Sequence, residues 1–130
     1  MGPRLRAVVD TNILIDVLNS VPEAMEELDR YDTVGVSVVT WIELLVGCRT
    51  DDEVQTARLV LSEFDIVRVP ETIALRAVQL RQARRLKLPD ALVLATAMEW
   101  GCQLITRNTK DFPADSPGIR VPYTLEPGTL

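Results

Sequence analysis

The sequence predicts a three-layer α/β domain with a mostly parallel sheet and right-handed crossover connections. Short apolar, β-branched runs alternate with longer segments of helical periodicity along the chain. No internal repeat or linker interrupts this alternation, and 130 residues are enough to bury one hydrophobic core. Residues 1–130 are therefore predicted to form one domain, with a frayed tail after residue 124.

The composition is that of an ordinary globular protein, with 47% apolar and 25% charged residues. No apolar run is long enough to span a membrane, and the N-terminus lacks the apolar stretch of a signal peptide. The two cysteines are isolated and form no paired-thiol motif. We therefore expect a cytoplasmic protein that does not associate with membranes.

Histidine does not occur in the sequence, and this excludes several kinds of active site. Nucleophilic Ser-His-Asp and Cys-His sites, histidine acid–base pairs and most zinc chemistry all require it. Any catalysis must therefore rely on carboxylates, hydroxyls, amides and basic side chains.

The first element is an apolar strand, Ala7–Val9, which is followed directly by Asp10. A helical apolar pattern then begins at Ile13, and Thr11 or Asn12 can cap that helix. The carboxyl edge of a parallel sheet is where open α/β folds bind ligands. Two interpretations of this acid remain open: a residue of a functional site, or a simple helix cap.

A second helix is predicted to start at Ser20–Glu23, with the serine as its cap and proline at its first position. The strand Val34–Ser37 and the apolar helix Val38–Gly47 follow. Glu43 is the only acid in that helix. An isolated carboxylate is costly there unless it reaches an open site or a partner, the alternative being an incidental position facing solvent.

A capping box, Thr50–Glu53, begins the next amphipathic helix, and Ile66–Val69 is a short strand stopped by proline. The helical pattern of Glu71–Leu88 ends in a basic block. In a chain of net charge −5, this block is either a solvated helix face or a local attraction for nucleic acid. It consists of Arg76, Arg81, Arg84, Arg85 and Lys87.

The segment Leu88–Met98 is apolar almost all round, which predicts a buried helix. Asp90 opens this helix, either as a cap or as a site residue. The strand Cys102–Thr106 leads into a second polar cluster, Arg107–Asp111, and a short edge strand is predicted near Arg120–Tyr123.

Four acids stand out by position: Asp10, Glu43, Asp90 and Asp111. If they converge, they form an all-oxygen cage of the kind that suits Mg²⁺ or Mn²⁺ and does not suit zinc or copper. Such a cage fits phosphoryl chemistry, in which metal ions activate a water and stabilise the leaving oxygen. No protein nucleophile is then required, in agreement with the lack of histidine.

The sequence resembles PIN-domain ribonucleases, and specifically the VapC toxins of bacterial toxin–antitoxin pairs. The resemblance implies Mg²⁺- or Mn²⁺-dependent endonucleolytic cleavage of RNA, a homodimer, and neutralisation by a small VapB-like antitoxin whose tail covers the acidic pocket. It also implies the strand order 3-2-1-4-5. The matching motifs are Val8-Val9-Asp10-Thr11-Asn12-Ile13-Leu14-Ile15-Asp16, Trp41-Ile42-Glu43-Leu44 with Gly47, Pro89-Asp90-Ala91, and Thr106-Arg107-Asn108 with Asp111-Phe112.

Carried over residue by residue, Asp10, Glu43 and Asp90 match the metal-binding acids of that family. Many relatives have an acid where this chain has Asn108, so either Asp111 takes that role or the fourth ligand is neutral. The resemblance assigns further supporting roles. Asn12 and Thr106 match residues that orient ligands or water, and Arg107 or Lys110 contacts phosphate. Independently of the resemblance, the positive charge of the basic block predicts RNA contacts at Arg84 and Arg85.

Three alternatives carry less weight. Haloacid-dehalogenase phosphatases need a second aspartate where this chain has Asn12, and response-regulator receivers need adjacent acids before the end of the first strand. A degenerate PIN domain that acts only as a binding partner is the third alternative, and the retained acids argue against it.

Overall fold

The computed structural model describes residues 5–125, in which five strands form one parallel sheet. The strand order is β3-β2-β1-β4-β5, so the predicted fold class and strand order are confirmed. Residues 126–130, where part of the frayed tail was predicted, lie outside the described residues. The strands are β1 Arg6–Val9, β2 Thr33–Ser37, β3 Asp65–Val67, β4 Gln103–Ile105 and β5 Ile119–Arg120.

Helices cover both faces of the sheet and make the three layers. In the part of the chain that the structure describes, no helix is long and apolar enough to cross a membrane. The helices are α1 Thr11–Leu18, α2 Pro22–Leu28, α3 Val38–Val46, α4 Asp51–Leu61, α5 Glu71–Arg84 and α6 Leu88–Glu99.

The central strand β1 divides the core into two hydrophobic clusters, because successive side chains of a strand point to opposite faces. Val8 packs with residues of α5 and α6, such as Ile73 and Leu94, on one face. Ala7 and Val9 pack with residues of α1, α3 and α4 on the other face. Because β1 is buried on both sides, its carboxyl end is held firmly. Asp10, which follows it directly, is therefore held at the same edge of the sheet.

Trp100, which ends α6, packs directly against the backbone of β2. A Cβ atom added at Gly35 would lie 2.6 Å from its ring, so this strand position requires glycine. The Arg6 guanidinium covers the same ring at 5.2 Å from its centroid. The C-terminus of α6 is thereby held close to the centre of the sheet.

Two of the predicted helix boundaries are wrong. Ser20 does not cap α2; it has a left-handed φ of 59°, and Val21 stands at the N-cap position without a side-chain cap. The helix α5 ends at Arg84 because Arg85 adopts φ 55° and turns the chain. Leu86 can then be buried against the core.

Other boundaries differ less from the prediction. The strand β3 begins earlier, at Asp65, where it pairs with Gly35 of β2. The capping box is present, with Thr50 Oγ1 accepting from the Glu53 backbone N–H at 3.1 Å. The edge strand β5 starts at Ile119, just before the predicted range.

Candidate active site

Asp10 lies immediately beyond β1, at the carboxyl edge of the sheet, and is only 7% exposed. It is the N-cap of α1, with its Oδ1 accepting from the Thr11 N–H at 2.9 Å. Neither Thr11 nor Asn12 therefore caps this helix, as the sequence had suggested. Its Oδ2 accepts from Thr106 Oγ1 at 2.8 Å and from Asn12 Nδ2 at 3.2 Å. Asp10 is thus a cap whose second oxygen is held in a polar frame.

Burial raises the pKa of the Asp10 carboxyl. The hydrogen bonds from Thr106, Thr11 and Asn12 oppose this rise because they stabilise the charged form. The nearby charge of Asp111 raises the pKa further. The donors around Asp10 therefore offset part of the cost of keeping a buried carboxylate at the sheet edge.

The Thr106 hydroxyl is the centre of the polar frame. It donates to Asp10 and accepts from Asn12 Nδ2 at 3.2 Å and from the Asn108 N–H at 3.0 Å. A hydroxyl has one donor and two acceptor positions, so all are used. Asn12 Oδ1 in turn accepts from the Arg107 N–H at 2.9 Å. Because β1 and β4 are neighbours, this network joins their two ends.

Asp90 lies in the first turn of α6, but it is not a cap. Lys87 occupies the N-cap position and makes no side-chain cap bond, so the capping interpretation is wrong. Within residues 5–125 no hydrogen bond or ion pair reaches the Asp90 carboxylate. Burial first, and then the charges of Asp10, Asp111 and Glu43, raise its pKa to about 6, while Lys87 lowers it. The three other acids therefore lie close enough to act on Asp90.

Glu43 and Asp111 complete the group from two other elements. Glu43 is exposed on α3, where its Oε1 accepts from Thr11 Oγ1 at 3.1 Å. Asp111 lies in the loop after β4, and its Oδ2 accepts from Asn108 Nδ2 at 3.0 Å. Asn108 Oδ1 accepts from the Asp111 N–H at 3.2 Å, so the asparagine holds the acid in place. The predicted acids therefore gather at one edge, from four separate segments of the chain.

Comparisons with known proteins identify the family of this chain. The sequence profile of the PIN domain matches residues 7–114. The chain belongs to the PIN-domain family. Ribonuclease VapC10 of Mycobacterium tuberculosis is 36% identical over 114 residues, which are 82% of this chain and 85% of that protein. The family match sets aside the phosphatase and response-regulator alternatives.

The chain is also similar to solved structures. A toxin–antitoxin complex from Klebsiella pneumoniae contains a chain 45% identical to this PIN domain. The match covers 92% of this chain and 99% of that one, with a TM-score of 0.83. DNA-bound VapBC from Salmonella typhimurium has a TM-score of 0.70 at 23% identity, with 89% and 96% of the two chains covered, which shows a shared fold.

The donor set of this PIN domain fits a hard divalent cation. The four acids offer only oxygen, which Mg²⁺ and Mn²⁺ prefer, and no basic side chain forms an ion pair with them within residues 5–125. In the same residues, no three acid or thiol side chains converge to the spacing of a preformed metal site. The chemistry and charge of the group therefore fit such an ion, although the carboxylates must draw closer to bind one.

The basic residues near the site differ in how they are engaged. The Arg107 guanidinium binds the buried Asp16 carboxylate, so its predicted contact with phosphate stays a prediction. Arg84, Arg85 and Lys110 are exposed. Sequence reasoning missed Asp16, although it is an acid between the apolar residues of α1, the same signal that singled out Glu43.

Two cavities flank the acids of the PIN domain. One of about 500 Å³ lies beside Glu43 between α1, α3 and α4, with Ile15, Leu18 and Leu44 in its wall. The other, of about 430 Å³, lies beside Asp111 and is lined by Arg84 and Lys110 among others. Each cavity thus offers space beside one of the four acids.

Proposed function

We propose that this PIN domain is a metal-dependent endoribonuclease and the toxin of a VapBC-type pair. The observation that carries the proposal is the gathering of three carboxylates, those of Asp10, Glu43 and Asp111, around Asp90 in a chain without histidine. The 36% identity to a ribonuclease supports RNA as the substrate. Hydrolysis by metal-activated water needs no protein nucleophile, and this agrees with the residues present.

Asp10, Glu43, Asp90 and Asp111 would hold Mg²⁺ or Mn²⁺. When bound, such an ion lowers the pKa of a coordinated water and stabilises charge on the leaving oxygen of a phosphodiester. The protein's own contribution is orientation. Thr106 and Asn12 fix the Asp10 Oδ2, and Asn108 fixes Asp111, so two acids approach the substrate from the ends of adjacent elements.

The partners follow from the relatives. The similar chain from Klebsiella pneumoniae belongs to a toxin–antitoxin complex, which supports a VapB-like antitoxin as partner here. An antitoxin tail that covers the acidic edge would need a cation to meet the carboxylates. We also propose a homodimer, to be tested by light scattering, and activity in the cytoplasm.

The decisive experiment measures cleavage of total RNA with Mn²⁺, with Mg²⁺ and with chelator. The parent should cleave only with metal, and Asp10→Asn should abolish cleavage. Asp29→Asn is the matched control, because it makes the same chemical change at an exposed position at the end of α2. Sequencing of 5′ ends after brief induction then identifies the bond that is cut.

Two results would contradict the proposal. Cleavage that persists in chelator or in Asp10→Asn would exclude the carboxylate-held metal mechanism. A parent that binds RNA or an antitoxin but cleaves nothing with either metal would instead leave a degenerate PIN domain that acts only by binding.

A further inference from the structure

The cavity beside Asp111 has a charged rim and an apolar floor. Leu86, Phe112 and Ile119 are buried and form the floor. Arg84, the last residue of α5, and Lys110, in the loop after β4, stand in the wall. The volume of about 430 Å³ lies in the range of pockets that hold small organic groups.

The two cations of this cavity form no ion pair within residues 5–125, although the Asp111 carboxylate also lines the cavity. Among residues 5–125, neither Arg84 nor Lys110 has a carboxylate within ion-pair distance. Four other arginines in the same part of the chain are paired, namely Arg30, Arg76, Arg107 and Arg120, whereas others, such as Arg81, are not. In a chain of net charge −5, two unpaired cations in the wall of one cavity favour an anionic ligand.

Asp111 ties the cavity to the acid cluster. Its carboxylate acts on Asp10 and Asp90, and the same residue lines the cavity. A strand of RNA carries a phosphate at every nucleotide, so a strand with one phosphodiester at the acids places a neighbouring phosphate near the cavity. Arginine and lysine donors suit its oxygens.

We propose that this cavity is a nucleotide subsite, which binds the phosphodiester next to the scissile one through Arg84 and Lys110. The sugar or base of that nucleotide then rests on the apolar floor. The inference rests on the proposed ribonuclease function and goes beyond it, because it assigns a position along the substrate to two specific side chains.

The first test separates substrate binding from chemistry in steady-state cleavage of an RNA oligomer that the parent cuts. Arg84→Gln and Lys110→Gln should each raise KM about five- to tenfold and leave kcat within about twofold. For binding to a single strand, loss of one phosphate contact should flatten the slope of log affinity against log salt by about 0.7. Arg81→Gln is the matched control, because it removes the same charge from α5 but does not line the cavity.

The second test locates the phosphate. A series of oligomers carries one neutral methylphosphonate at successive positions around the cut. A methylphosphonate at one position beside the cut should raise the KM of the parent. The same methylphosphonate should not raise the KM of the Arg84→Gln, Lys110→Gln double variant any further.

The outcomes distinguish this inference from the proposed function. A parent that cleaves no RNA refutes the function itself. Cleavage with an unchanged KM in both variants overturns the subsite. An equal rise in KM in Arg81→Gln also overturns it, and would leave the helix face as a diffuse basic surface. A methylphosphonate effect that persists in the double variant also overturns it.

Discussion

The Arg107 guanidinium donates two hydrogen bonds to the Asp16 carboxylate, 2.6 Å from Nε to Oδ2 and 2.9 Å from Nη2 to Oδ1. Tyr123 donates a third to the same Oδ2 at 2.8 Å. The pair joins α1 to the loop after β4, and the Arg107 N–H continues the connection to Asn12. The ion pair of Asp16 and Arg107 therefore supports the polar frame around Asp10 through Asn12.

Asp16→Asn should lower the free energy of unfolding by about 2–3 kcal/mol. The Asp16 side chain is 4% exposed and that of Arg107 is 26% exposed, so removal of the charge leaves a largely buried guanidinium without its counter-ion. Urea denaturation measures the change. Asp29→Asn, at an exposed site, should stay within about 0.5 kcal/mol of the parent. An equal, small effect in both variants would show that the pair contributes nothing to stability.

Thr106→Val should impair both the site and the fold, whereas Thr106→Ser should resemble the parent. Valine has the same shape but lacks the hydroxyl, so Asp10 loses a donor and Asn12 loses an acceptor in a buried place. We expect a loss of about 2 kcal/mol in the free energy of unfolding and at least about tenfold in kcat.

The same variant gives a pH signature. The hydrogen bond from Thr106 lowers the pKa of Asp10, so its removal raises that pKa. The acidic limb of the pH profile of cleavage should then move to higher pH in Thr106→Val and stay in place in Thr106→Ser. An unshifted limb in Thr106→Val would mean that Asp10 ionisation does not control the rate.

Local patterns predicted the parts of the structure that depend on nearby residues. The apolar run before Asp10 predicted a buried strand, and the acid at its end could be placed at the sheet edge for that reason. The capping box at Thr50 and the buried helix α6 could also be predicted from the local sequence. These features depend on spacing within a few residues.

The remaining features depend on tertiary packing. No glycine or proline marks the end of α5, and its basic last turn continues into Arg85 and Lys87, so the boundary shows only in the left-handed turn at Arg85 that lets Leu86 enter the core. The pairing of Asp16 with Arg107 joins residues that are 91 positions apart, which no periodicity reveals. The four acids could be predicted to lie at one sheet edge from their places at strand ends and helix starts, but the distances between them depend on how α3 and α6 pack on the sheet.

Asp90→Asn should stabilise the metal-free protein in a manner that depends on pH. The folded-state pKa of about 6 lies above the ordinary value of 3.8, so the folded state binds the proton more tightly than the unfolded state. The contribution of Asp90 to stability is therefore most favourable below pH 3.8 and is lost as the pH rises through about 6. Because the group is partly exposed and screened, the cost at neutral pH is about 1 kcal/mol.

Urea denaturation in chelator should thus show a gain for Asp90→Asn that is larger near pH 8 than near pH 5. Asp10→Asn is the informative comparison, because both changes remove one charge from the same cluster. Asp10 loses hydrogen bonds made to its charged form, whereas Asp90 has none to lose within residues 5–125, so the gain should be smaller at Asp10. Mg²⁺ should then reduce the advantage of Asp90→Asn, since bound metal stabilises the parent by mass action. A gain independent of both pH and Mg²⁺ would mean that charge repulsion at this edge is not its cause.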